Sequence, residues 1–203
     1  MRIIETKLAP NPRRVRIFLA EKGVSVAFEE RDLMASALKT DDFTQINPWQ
    51  RVPVLVLDDG RVLAETVAIC RYFEELQPEP ALFGVGSFGK ADVEMWHRRV
   101  EIGLFNAVAH VFRHLHPKMA PFEVPQVAAW GEANKDKVGE ELARLDGRLA
   151  QSRFIATDGY SIADITALVA IDFMKPAKLA SPAGFANVMR WYREVSVRPS
   201  ASA

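Results

Sequence analysis

Apolar and polar positions along this chain fall into two regimes. The first 77 residues mix short apolar runs with one-sided helical spacing, and from residue 90 onward the spacing is helical. Arg2 to Lys7 predicts a strand. Residues Arg13 to Lys22 then carry Val15, Ile17, Phe18 and Leu19 as a buried helical face. Asn11 is a good N-cap for that helix, Pro12 suits its first position, and Gly23 suits its stop. Val24 to Arg31 predicts a second strand and completes a β-α-β unit. Ser36 to Ile46 is polar and mixed, which predicts a short or irregular helix. Val54-Leu55-Val56-Leu57, Asp58-Asp59-Gly60 and Arg61-Val62-Leu63-Ala64 form a hairpin pattern. Glu65-Thr66 opens another helix, with Val67, Ile69, Cys70, Phe73 and Leu76 apolar. Residues 1–77 therefore predict a small domain with a mixed four-stranded sheet.

Gln77-Pro78-Glu79-Pro80 breaks the pattern, and residues 78–89 are expected to be a linker. Gly84-Val85-Gly86-Ser87-Phe88-Gly89 matches the G-x-G-x-x-G spelling. A dinucleotide site needs a strand just before those glycines and a βαβ unit around them. A proline-rich turn precedes them and only helices come after, so the match carries no such site. Residues 90–203 are expected to form an all-helical domain. Val93, Trp96, Val100, Leu104, Val108, Val111 and Leu115 recur at three- and four-residue steps on one long helix. Val127, Trp130, Asn134, Val138, Leu142, Leu145 and Leu149 do the same on a second. Ser161-Ile162-Ala163-Asp164 is a capping-box start to a nearly all-apolar, central helix, with Ser161 and Asp164 structural. Phe185 to Val195 predicts the last helix.

Composition excludes more than it selects. Of 203 residues, 49% are hydrophobic and 26% charged, with Lys+Arg and Asp+Glu both at 26. A nucleic-acid binder would carry a basic surplus, so none is expected as a partner. Arg13, Arg14 and Arg16 cluster, and a solvated helix face is the expectation for them. The single cysteine, Cys70, fits a reducing cytoplasm. The N-terminal residues lack the apolar core of a signal peptide. Ile162 to Met174, the most apolar run, contains Asp164 and Asp172 and is too short to span a bilayer.

The stretch Asn47-Pro48-Trp49-Gln50-Arg51-Val52-Pro53-Val54-Leu55 carries candidate chemistry. Proline cannot donate to a ladder, so Pro53 belongs at the strand's first residue or edge, where Val52–Pro53 is a candidate cis peptide. A cis turn there would push the Val52 N–H and C=O outward, where an extended peptide could pair with them. A trans turn is the commoner geometry for an isolated Val-Pro step.

Several motifs in this order resemble the cytosolic glutathione transferase family. They are Pro10-Asn11 before Arg14-Val15-Arg16-Ile17, Asn47-Pro48 through Val52-Pro53-Val54-Leu55, Glu65-Thr66 after the hairpin, and Ser161-Ile162-Ala163-Asp164-Ile165. The resemblance covers nearly the whole chain. It implies an α/β N-terminal thioredoxin-like domain plus an all-α C-terminal domain, and a cytoplasmic homodimer that acts in detoxification. Glutathione is then the co-substrate, with no cofactor or metal, and a hydrophobic electrophile or a disulfide is the second substrate.

Glutathione reacts as its thiolate, and a free thiol near pKa ~8.5 is mostly protonated at neutral pH. The helix start at Pro12 can stabilise the anion, and the Asn11 amide could donate to the sulfur. Asn11 as a plain N-cap is the alternative. The resemblance implies that Val52 backbone pairs with the cysteinyl part of the peptide, next to Pro53. Glu65 would accept from the γ-glutamyl ammonium, while Thr66 and nearby N–H groups take its carboxylate. Lys39, Gln50 and Arg51 are candidates for the glycyl carboxylate. Phe105, His110, Phe112 and His114 could border the second-substrate pocket, and the two aromatics could equally be core. His110 and His114 stand at i and i+4, but no H-E-x-x-H pattern is present and no zinc site is expected.

The chain departs from much of the family at Ala9, where relatives place a Ser, and where others have a Tyr or Cys nearby. Pro10-Asn11 looks more like the Pro-Asn-Gly branch that often favours disulfide reduction, with Pro12 in place of the Gly. Transferase, disulfide reductase, isomerase or dehalogenase, and a non-catalytic binding protein on the same scaffold all remain open at this point.

Overall fold

The computed structural model describes residues 1–203, and contacts divide them into two compact units. One comprises Met1–Pro80 together with Pro199–Ala203; the other is Ala81–Arg198. From sequence, the first domain is expected to end at 77 and the helical one to run to 203. In the structure the last five residues pack in the first unit instead. Arg13 Nη2 donates to the Ala201 carbonyl at 3.0 Å, and Ser200 hydrogen-bonds Glu21.

The first unit is a mixed four-stranded sheet in the order β2-β1-β3-β4, with helices α1 and α3 packed on each other. Strand β1 is Arg2–Glu5, α1 Pro10–Lys22, β2 Ala27–Glu30, α2 Asp41–Ile46, β3 Val54–Val56, β4 Val62–Ala64 and α3 Thr66–Leu76. β1 and β2 run parallel, as the β-α-β crossover demands, and β1–β3 and β3–β4 are antiparallel. Successive strand residues point to opposite faces. Ile4 and Val54 meet Leu38 and Phe43 on one face.

Helix α1 begins two residues earlier than its capping signal implies. Ala9 is the N-cap, with no side-chain cap bond, and Gly23 closes the helix in the left-handed region at φ 65°. Two prolines offer two registers, and the chain takes the one with Pro10 at the first helical position. Asn11 thus lies inside the first turn. The expected solvated arginine face is also corrected. Arg14 is 2% exposed and Arg16 pairs with the buried Glu5. These charges find partners that their spacing in sequence does not reveal.

The second unit is helical: α4 Gly86–Arg98, a π-helical segment Arg99–Phe105, α5 Asn106–Leu115, α6 Ala128–Leu149, α7 Ile162–Met174 and α8 Ala186–Ser196. Gly86 opens α4, so residues 86–89 of the expected linker are its first turn. Gly84 is a packing glycine at φ 82°, because a Cβ there would fall 2.4 Å from the Gly89 carbonyl oxygen. α7 is central, buried along nearly its whole length and packed on the π segment and α4. No helix is long and apolar enough to cross a membrane.

Candidate functional site

Helix starts leave backbone N–H groups without intrahelical partners, and two such starts line a single cleft in the first unit. The cleft has a volume of about 200 Å³ and is bounded by Asn11, Asn47, Arg51, Val52, Pro53, Ala64, Glu65 and Thr66. Asn11 comes from the first turn of α1, and Glu65 and Thr66 from the start of α3. Val52 and Pro53 lead into β3, and the Val52–Pro53 bond is cis, as are Glu79–Pro80 and Val124–Pro125.

The two starts differ in what they offer. At α1, Pro10 and Pro12 carry no N–H, so Asn11 alone supplies a backbone donor among the first three positions. Its side-chain Oδ1 accepts from Arg14 Nη1 at 3.2 Å. At α3, Glu65 is the N-cap and makes no side-chain cap bond, so the first-turn N–H groups remain available to an anion. Glu65 itself sits at φ 70° and ψ 125°, a region rarely occupied by a residue with a side chain. Strain of this kind costs roughly 1–3 kcal/mol and gathers at functional sites. Glu65→Gly is therefore expected to raise the thermal unfolding temperature, and an unchanged or lowered one would show that no such strain is stored at this position.

Of the residues singled out in the sequence, Asn11, Arg51, Val52, Pro53, Glu65 and Thr66 converge on the cleft, whereas Lys39 and Gln50 lie off its lining. Gln50 sits at φ 52° and donates to Thr44 Oγ1 at 3.0 Å. Two lining residues, Asn47 and Ala64, are not among the sequence candidates. Asn47 is 4% exposed; it donates to the Arg51 carbonyl at 2.9 Å and accepts from Trp49 N–H at 3.2 Å. It thereby closes the loop that carries Arg51 and Val52 to the cleft. An Asn before Pro at the head of a turn is the available signal.

The four candidates for a second pocket all lie in the helical unit. Phe105 is 5% exposed, at the end of the π segment. Phe112 packs against Phe173, ring centroids 5.0 Å apart. His110 stacks on His114 and meets the edge of Trp130. Burial, and then the neighbouring His114, hold the His110 pKa below its ordinary value. His114 Nδ1 accepts from Val127 N–H at 3.1 Å.

Ser161 and Asp164 form the cap of α7. Ser161 Oγ accepts from Ala163 N–H at 3.3 Å, and Asp164 Oδ2 accepts from Ser161 N–H at 3.0 Å.

Two family models match. "Glutathione S-transferase, N-terminal domain" covers residues 9–76 and "Glutathione S-transferase, C-terminal domain" residues 109–199. Glutathione S-transferase 2 of Saccharomyces cerevisiae is 35% identical over 98% of this chain and 87% of its own length. The crystal structure of Gtt2 from Saccharomyces cerevisiae superposes with TM-score 0.94 at 35% identity, over 100% of this chain and 99% of that one. A glutathione S-transferase domain-containing protein of Marinobacter aquaeolei VT8 also gives TM-score 0.94, at 38% identity over 98% and 99% of the two chains.

Proposed function

We propose that this chain, which belongs to the glutathione S-transferase family, holds glutathione in the cleft of its first unit and activates the thiol for transfer to an electrophilic small molecule. The observation that carries this reading is the convergence of two helix starts and the Val52 backbone on one cleft. A tripeptide with two carboxylates, one ammonium and one thiol has a partner for each along that lining. Glu65 faces the ammonium, and the uncapped α3 start takes the γ-glutamyl carboxylate with Thr66. Val52 pairs with the cysteinyl backbone, and Arg51 takes the glycyl carboxylate. Asn11 donates to the sulfur, and the thiol proton leaves to water. Each unit by which the thiol pKa drops takes about 1.4 kcal/mol. One or two hydrogen bonds to a charged group, at about 1.5–3 kcal/mol each, suffice for that.

Asn11→Ala is expected to lower kcat by about 10-fold, the loss that goes with one hydrogen bond to the thiolate and a thiol pKa raised by about one unit. Glu65→Ala is expected to act on KM for glutathione instead. Wild-type turnover in both variants removes the site as assigned.

Ala9 favours a second reading. It carries no hydroxyl or thiol at the start of α1, which leaves disulfide reduction with glutathione as the competing activity. An aryl halide and 2-hydroxyethyl disulfide, assayed side by side, separate the two. No cofactor is required on either reading. Membership of the family supports a homodimer acting in detoxification, and light scattering tests the mass. The single buried Cys70 supports a reducing, cytoplasmic setting.

A further inference from the structure

We infer that Arg14 is a positioning residue for the thiolate contact: it grips the carbonyl end of the Asn11 amide, so that the NH2 end faces the glutathione sulfur. The inference rests on the reading of the cleft as a glutathione site, and goes beyond it by assigning the polarity of one side chain and the residue that sets it.

An asparagine amide has an accepting end and a donating end of nearly the same shape, and only its hydrogen-bond partners decide which way it lies. A guanidinium can only donate. Arg14 Nη1 lies 3.2 Å from Asn11 Oδ1, so the accepting end is the gripped one. Arg14 is 2% exposed and off the lining, while Asn11 is on it. The donating end is thus left for the cleft. Polarity matters more at this helix start than at most, because Pro10 and Pro12 remove the backbone donors on either side of Asn11. A flipped amide would set a carbonyl oxygen against a thiolate. Arg51 and Glu65 are the other charged residues of the lining, and neither is the partner that grips Asn11 Oδ1.

The test is the pKa of enzyme-bound glutathione, read from thiolate ultraviolet absorbance against pH. In the wild type it is expected to lie below the free value of about 8.5. Asn11→Ala removes the donor and raises it by about one unit, a 10-fold fall in the thiolate-to-thiol ratio at neutral pH. Asn11→Asp keeps a partner for Arg14 but turns a partly negative oxygen toward the sulfur. It is expected to fold and to raise the bound thiol pKa beyond that of Asn11→Ala. Arg14→Met is expected to raise it also, with kcat recovered at high pH and KM for glutathione within about two-fold, the mark of a contact made to the anion rather than to the peptide. Arg14→Lys, charged but without the planar fork, falls between.

A bound thiol pKa in Asn11→Asp equal to or below that of Asn11→Ala overturns the inference, even if Arg14→Met fails to fold. So does a wild-type pKa in folded Arg14→Met. If Asn11→Ala shifts nothing, Asn11 does not touch the sulfur and this inference goes with that contact, while the peptide-binding part of the cleft still stands. If the wild type shows no lowered thiol pKa and no binding, the glutathione reading itself fails.

Discussion

Asp164→Ala is expected to cost about 3–5 kcal/mol, because it strands four buried hydrogen-bond donors at once. Asp164 is 0% exposed. Its Oδ1 accepts from Ile155 N–H at 3.0 Å and Trp191 Nε1 at 2.8 Å. Its Oδ2 accepts from Ser161 N–H and Ser161 Oγ, both at 3.0 Å. Burial pushes the carboxyl's pKa up, and these donors pull against it. One side chain therefore starts the central helix, fixes the residues ahead of it and holds the indole of α8. Alanine strands these buried donors, each worth about 1–3 kcal/mol when unsatisfied, less whatever the site recovers by relaxing. A domain with about 5–15 kcal/mol in hand loses a large part of its stability. Urea denaturation followed by near-ultraviolet circular dichroism measures it. A shift below about 1 kcal/mol would mean that the cap is replaceable by water.

How much of this is legible in the sequence depends on how far each residue's partner lies along the chain. The hairpin is written in two short apolar runs around Asp58-Asp59-Gly60, and β3 and β4 form where that pattern places them. The α7 cap is equally local, since Ser161 and Asp164 stand three residues apart. Helix α8 shows the opposite case. Its own N-cap, Phe185, makes no side-chain bond. Its start is satisfied by Asp146 of α6, whose Oδ1 accepts from Asn187 N–H at 2.8 Å and Val188 N–H at 3.0 Å. Those bonds hold the Asp146 carboxyl below its ordinary value, and no local motif announces them. The π segment at 99–105 is similar, because a run of three- and four-residue apolar steps does not distinguish it from regular α-helix.

The candidate site divides the same way. Glu65-Thr66 is legible because a hairpin strand runs straight into a helix start. Asn47 stands in the loop motif without an assigned role, because its bonds to Trp49 and Arg51 act on the loop rather than toward a ligand. Arg14 reads as solvated because charge predicts solvation on average, and only the folded α1 brings its guanidinium against Asn11. Buried basic charge, at Arg14 and Lys22, is the part that local sequence does not reveal.

Lys22 is the strongest instance. Lys22→Met is expected to destabilise the first unit by about 3–5 kcal/mol, and the double variant Lys22→Met/Glu74→Leu by much less than the sum of the two single changes. The Lys22 side chain is 0% exposed and pairs with Glu74, whose side chain is 10% exposed. Its ammonium also donates to the Pro78 carbonyl, at 3.0 Å, and to that of Pro80. Three donors meet three acceptors, which fully uses an ammonium group. The position is favourable too, because a cation at the end of α1 meets the negative pole of the helix. These bonds tie the end of α1 to α3 and to the segment that leaves the unit. Methionine fills the space of the stem and keeps its contact with apolar neighbours, so the loss isolates the charge. Glu74 is then left buried without its cation, which is the costly state. Removing both charges leaves the Pro78 and Pro80 carbonyls to satisfy, and carbonyls tolerate partial satisfaction better than ions do. Thermal unfolding of the four proteins of the cycle, at equal pH and salt, gives the coupling. A cycle in which the two losses simply add would show that the pair is not coupled, and that Lys22 acts through the proline carbonyls alone.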